Sequence, residues 1–120
     1  MTLVDTSIWI DHLRSGNNQL IELLDHNQVL VHPFVIGELA CGNLRNRKEI
    51  LRLFNNLPQS PVASAEEALY FIEQNQLMGK GIGYIDVHLL AATALVENTL
   101  LWTNDKRLKK VAGGMKLAFD

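Results

Sequence analysis

Thr2-Leu3-Val4-Asp5-Thr6-Ser7 is the stretch from which the rest of the chain can be read. Leu3 and Val4 open a short apolar segment with the character of a buried strand. Asp5 ends it, and Thr6 and Ser7 are residue types that cap a helix beginning near Ile8. A carboxylate at the carboxyl end of a buried parallel strand lies where open α/β sheets place their ligand crevices. Glu38, Asp86 and Asp105 are expected at the same edge.

Downstream, strand-like and helix-like segments alternate. A helix near residues 7–15 stops at Gly16, and Leu20, Ile21, Leu23 and Leu24 make an amphipathic helix ending around His26-Asn27. Val29-Leu30-Val31 is a second strand. Pro33 suits the first turn of the next helix, where its missing N–H has no partner to lose; that helix carries Glu38. Residues 46–57 follow helical spacing at Ile50, Leu51, Leu53, Phe54 and Leu57. Pro58 and Pro61 break this helix, and Val62 marks a short third strand. Ser64 with Glu67 forms a capping-box pattern. Gly79, Gly81 and Gly83 make a loop around Lys80, followed by a helix from about Tyr84 to Glu97 whose small residues allow close approach to a sheet. Leu100 to Thr103 is a fourth strand, Lys106 to Val111 a basic helix, and Met115 to Phe119 an edge strand. This alternation predicts one α/β domain over residues 1–120, with a mostly parallel sheet of four to five strands and helices on both faces.

Composition narrows the class. A chain of 120 residues with 48% hydrophobic and 20% charged content is of a size and type for one globular domain, not a disordered segment. The single Cys41 forms no internal disulfide and no Cys-based metal motif, which fits a reducing cytoplasm. No apolar run reaches the roughly 18 residues that span a bilayer, and no basic-then-apolar leader opens the chain, so no membrane partner is expected. A net charge of -2 gives no general nucleic-acid footprint.

The question is then which of the 13 acidic residues are out of place. Glu22, Asp25, Glu49, Glu66, Glu67, Glu73 and Glu97 fall on polar faces or near helix ends. Asp5 and Asp105 instead follow apolar strands directly, Asp86 lies between Ile85 and Val87 in a helix's first turn, and Glu38 is flanked by apolar and small residues. Strand ends and helix starts share one edge of a parallel sheet, so the four can meet there. Each alone is most simply a cap or turn former. Together they cannot all stay ionised without compensation, and hard divalent cations with oxygen ligands provide it. Such ions activate water and stabilise charge on a phosphodiester in flight.

Val4-Asp5-Thr6-Ser7, Ile36-Gly37-Glu38-Leu39, Gly83 to Ala92 (Gly-Tyr-Ile-Asp-Val-His-Leu-Leu-Ala-Ala) and Thr103-Asn104-Asp105-Lys106-Arg107-Leu108 resemble the four acidic motifs of PIN-domain nucleases. In size and closeness of match the chain resembles the VapC-type toxins of bacterial toxin–antitoxin pairs. The resemblance implies a Rossmann-like PIN fold and an endoribonuclease dependent on one or two Mg²⁺ or Mn²⁺ ions. It also implies homodimers and a cognate antitoxin, with DNA contact only through that antitoxin. Carried over position by position, Asp5, Glu38, Asp86 and Asp105 are the acidic catalytic and metal site. Thr6, Ser7 and Asn104 are supporting polar groups, Ser7 foremost. Lys80, Lys106 and Arg107 are candidates for holding RNA phosphates.

Other residues carry less. His88 is two positions from Asp86 and so points about 200° away on a helix, which removes it as a shared metal ligand. His32, before Pro33, is expected in a turn role, and Cys41 as a small buried residue. Arg45-Asn46-Arg47-Lys48 is a solvated face that gains interest only beside the site. Two other function classes compete with the nuclease. An aspartyl-phosphate enzyme built on Asp5 would lack its usual second carboxylate, because Ser7 stands there. A non-catalytic module of the same fold would use the acidic cleft to hold a basic partner segment.

Overall fold

In the computed structural model, which describes residues 1–120, β1 (Thr2–Val4) is the central strand of a parallel sheet. β2 (Val29–Leu30) and β3 (Leu100–Trp102) flank it in the order β2-β1-β3. The α/β class is as expected, but the sheet has three strands, not four to five. Single-residue parallel bridges occupy the outer positions, Val31 with Gln59 beyond β2 and Leu101 with Ala118 beyond β3. Val62, expected in a third strand, is exposed, and the pairing falls three residues earlier, where Val31 N–H donates to Pro58 and Ser60 N–H donates back to Val31. Pro58 and Pro61 flank this contact and limit how far a ladder can run, because proline has no N–H to donate.

Seven helices follow in chain order: α1 (Thr6–Ser15), α2 (Asn18–Asp25), α3 (Pro33–Ala40), α4 (Arg47–Asn56), α5 (Ala65–Asn75), α6 (Tyr84–Leu95) and α7 (Lys106–Gly114). From β1 the chain steps outward to β2 and to the Gln59 bridge, then returns across β1 to β3 and the Ala118 bridge. Right-handed crossovers therefore place α1 to α4 on one face and α5 to α7 on the other. The contacts agree, α3 packing on α1 and α4 while α6 packs on α5 and β3. The direction reverses between β1 and β3, and crevices of doubly wound sheets form at that point, beyond the strands' carboxyl ends.

Local signals explain most boundaries. Gly16 ends α1 at φ 77, a conformation that costs glycine little. Ser64 and Glu67 complete the capping box of α5. α6 buries every residue from Val87 to Thr93, and Ala91 and Ala92 permit that close seating. Its one hydroxyl there is satisfied, Thr93 donating to the Leu89 carbonyl at 2.7 Å. Two expectations change. Asp5, not Thr6 or Ser7, caps α1, because its own carboxylate accepts from Thr6 N–H. Cys41 is exposed at the end of α3 rather than buried. Arg47 is also more than a solvated charge, since its guanidinium donates to the Ala40 and Gly42 carbonyls and closes the end of α3.

His32 takes a turn role as the N-cap of α3. Its Nδ1 accepts from Phe34 N–H at 3.0 Å while the side chain is fully buried. Burial, and then the neighbouring His88, lower its pKa from 6.5 to about 4. The unfolded chain therefore takes up this proton from about pH 6.5 downward and the folded chain only near pH 4. Stability from this group is complete above pH 6.5 and falls as the pH drops toward 4, by roughly 3 kcal/mol in all. Urea melts between pH 7 and pH 4 are expected to show this loss. His32→Asn, which keeps a capping side chain, is expected to flatten the slope although it is less stable at pH 7.

Candidate active site

Parallel register puts Val4 opposite Trp102, so Asp5 leaves β1 beside Thr103 leaving β3. Asp5 is 7% exposed, and three donors hold its carboxylate. Thr6 N–H donates to Oδ1 at 2.7 Å, and Oδ2 accepts from Ser7 Oγ at 2.9 Å and Thr103 Oγ1 at 2.6 Å. Ser7 and Thr103 in turn accept from the next residues of the β3 end, Asn104 N–H at 3.0 Å and Asp105 N–H at 3.0 Å. A buried carboxylate needs this many partners to offset its lost hydration.

The other three acids stand around this anchor. Glu38, exposed on α3, accepts at Oε1 from Thr6 Oγ1 at 2.7 Å, which ties α3 to the start of α1. Asp86 accepts from Gly83 N–H at 3.0 Å in the first turn of α6, and Asp105 caps α7 by accepting from Leu108 N–H at 2.9 Å. Each uses one oxygen in these bonds, leaving Glu38 Oε2, Asp86 Oδ1 and Asp105 Oδ2 without protein partners.

Burial raises the pKa of Asp86; the Gly83 N–H opposes this, and the charges of Asp5, Asp105 and Glu38 add to the rise. The four groups thus share one electrostatic field. They do not form a finished ligand shell, since no three acidic, histidine or cysteine side chains are gathered to hold an ion as they stand. The donor set suits Mg²⁺ or Mn²⁺ by its chemistry: hard carboxylate oxygens, several unpartnered, on a group whose charge its neighbours disfavour.

Thr6 and Ser7 therefore touch the acids directly. Asn104 does not: its backbone N–H donates to Ser7 Oγ, and its side chain reaches Asp11, outside the four, at a marginal 3.5 Å. Thr103 was not singled out from sequence, although it is 4% exposed and bonds both Asp5 and the Asp105 backbone. The available signal was a hydroxyl ending an apolar strand in register with Asp5. Lys80, Lys106 and Arg107 are exposed, and Arg107 lies across the glycine loop: a Cβ on Gly81 would fall 2.8 Å from its Cδ. His88 turns away from Asp86, as its spacing requires, into a cluster of aromatic rings.

Residues 2–114 match the PIN domain family. The chain is 47% identical over 109 residues to a protein named Ribonuclease VapC32 from Mycobacterium tuberculosis, in strains CDC 1551/Oshkosh and H37Rv. The match covers 91% of this chain and 88% of the relative.

An acid whose folded pKa is raised contributes fully below its unfolded value and destabilises the fold as the pH rises through the folded one. At pH 7 without metal, Asp86→Asn is therefore expected to raise the melting temperature, because it removes a like charge and keeps an oxygen for Gly83 N–H. Calorimetry of both proteins in EDTA checks this, and an unchanged or lower midpoint would contradict it.

Proposed function

This chain belongs to the PIN-domain family, and from that membership we propose that it is a metal-dependent endoribonuclease, the toxin of a type II toxin–antitoxin pair. The observation that carries the proposal is the edge itself. Asp5 is fixed by Thr6, Ser7 and Thr103, and its charge acts with those of Asp105 and Glu38 on Asp86. The 47% identity to a relative named a ribonuclease supports RNA as the substrate.

Asp5 serves as the rigid anion of the site, since two hydroxyls and one N–H leave it no freedom to turn. Glu38, Asp86 and Asp105 present their free oxygens to one or two Mg²⁺ or Mn²⁺ ions. A bound ion supplies a water of lowered pKa and charge stabilisation at the phosphodiester. Lys80, Lys106 and Arg107 hold the RNA backbone beside the acids. Two divalent ions would turn the formal charge of -2 into about +2, so metal is required for RNA binding as well as for cleavage.

Apolar groups remain outside on both layers. Leu13 and Leu53 are exposed at a groove between α1, α2 and α4 of ≈ 340 Å³, Ile10 and Ile21 are exposed on α1 and α2, and Leu69, Tyr70 and Leu95 are exposed on α5 and α6. Two separate faces suit two protein partners, a second copy of this chain and a cognate antitoxin. No helix is long and apolar enough to cross a membrane. The single exposed Cys41 suits the cytoplasm, the compartment proposed here.

Asp5→Asn is expected to abolish RNA cleavage while preserving the circular dichroism spectrum. Cleavage by the natural protein should stop in EDTA and return with Mn²⁺. Full-rate cleavage by Asp5→Asn would overturn the assignment, and a natural protein that binds RNA without cutting it under any metal would favour the binding module.

Neutralising Lys106 and Arg107 together is expected to weaken RNA binding and flatten its dependence on salt by about two phosphate contacts. Metal affinity and melting temperature serve as controls. An unchanged salt slope would remove α7 from the substrate path.

A further inference from the structure

Where the first turns of α3 and α6 meet, two buried histidines lie side by side. His32 is 0% and His88 3% exposed. Phe34 packs edge-on against both, at 4.9 and 4.8 Å between centroids, and Tyr84 covers His88 at 4.6 Å. Each histidine keeps one buried nitrogen with no protein partner, Nε2 of His32 and Nδ1 of His88. Unpaired polar atoms at such depth are uncommon, because each has lost its water without gaining a partner.

Their chemistry is complementary. His32 Nδ1 accepts from Phe34 N–H, so its lone pair is in use, and the proton of the neutral ring must be on Nε2. Nε2 is thus a donor with no lone pair to offer, which excludes a metal ion bridging the rings. Nδ1 of His88 is then the natural acceptor. A direct bond of about 3 Å would hold two imidazole centroids within roughly 5 Å. The observed 6.3 Å is too long for that, and it suits one interposed small molecule that both accepts and donates.

We propose that His32 and His88 together bind a single buried water that joins the N-cap of α3 to α6 and so sets the spacing of Glu38 from Asp86. The two helices lie in different layers of the fold, and Thr6 to Glu38 is a tie within the first layer only. Glu38 follows Phe34 by one helical turn, and Asp86 lies between Tyr84 and His88, so a shift of either first turn moves its carboxylate. His32 and His88 act as positioning residues. This role rests on the acids being a metal site, whereas the bridge does not.

The bridge is tested first, without metal, by ¹⁵N-resolved NMR of the imidazole rings in the full chain. His32 is expected as the Nε2–H tautomer with a slowly exchanging proton, and His88 with an unprotonated Nδ1. His32 protonated on Nδ1, or an Nε2 proton exchanging at the solvent rate, overturns the proposal. Mn²⁺ titration then tests the positioning role. His88→Phe keeps a ring and removes the acceptor, and is expected to bind Mn²⁺ about 10-fold more weakly. His88→Asn, whose Oδ1 takes the place of Nδ1, is expected to recover most of the affinity. His32→Asn, which keeps the cap and loses the Nε2–H, is an independent variant expected to show the same loss. Affinity unchanged in His88→Phe or in His32→Asn, or lost equally in His88→Phe and His88→Asn, overturns the positioning role. A natural chain that binds no Mn²⁺ overturns the metal reading and the positioning role with it, while the tautomers still decide the bridge.

Discussion

The carboxylate of Asp5 is the constraint on which the structure turns. A charge at 7% exposure is tolerable only if fixed donors replace its water, and these come from two distant parts of the chain. Thr6 N–H and Ser7 belong to the helix that follows β1, and Thr103 belongs to the end of β3, 98 residues away. The parallel pairing of β1 with β3 is what delivers Thr103 to that position. Satisfying one buried anion therefore requires the central register of the sheet to be correct.

The same edge resolves a conflict between two roles for an acid. Asp5, Asp86 and Asp105 each lie at the N-terminus of a helix, accepting from Thr6, Gly83 and Leu108 N–H. Helix N-termini favour negative charge, and three of them converge on one crevice. A cap and a site ligand are therefore not competing descriptions of these residues. The backbone holds one oxygen of Asp86 and of Asp105, and the second has no protein partner. The residual repulsion appears at Asp86, whose pKa is raised by burial and by the charges of Asp5, Asp105 and Glu38.

The doubly wound order explains why the acids come from so many elements. Stepping outward from β1 and then back across it leaves α1 and α3 in one layer and α6 and α7 in the other, with all their N-termini at the crevice. Contacts over the sheet's edge must then hold the layers in register. Thr6 to Glu38 works inside the first layer, and the His32, Phe34, Tyr84 and His88 cluster spans the two.

Much of this was legible in the chain because the signals are local. Helical periodicity, Pro33 at a first turn, Gly16 at a stop and the Ser64–Glu67 capping box each act within a few residues, and the observed helices follow them closely. Strand ends followed by acids marked the crevice for the same reason, since a strand's end and the next helix's start are neighbours in sequence. What only the tertiary structure decided depends on pairs far apart in the chain. Thr103 became a partner of Asp5 through register, and Arg47 closed α3 by folding back over a turn. Cys41 was left outside because α3 ends at the surface, and the outer strands shrank to single bridges beside Pro58, Pro61 and the chain's last turn. His32 and His88 became neighbours only where two layers meet. Local propensity determines which elements form; register and layer packing, which sum over distant residues, decide which side chains face one another.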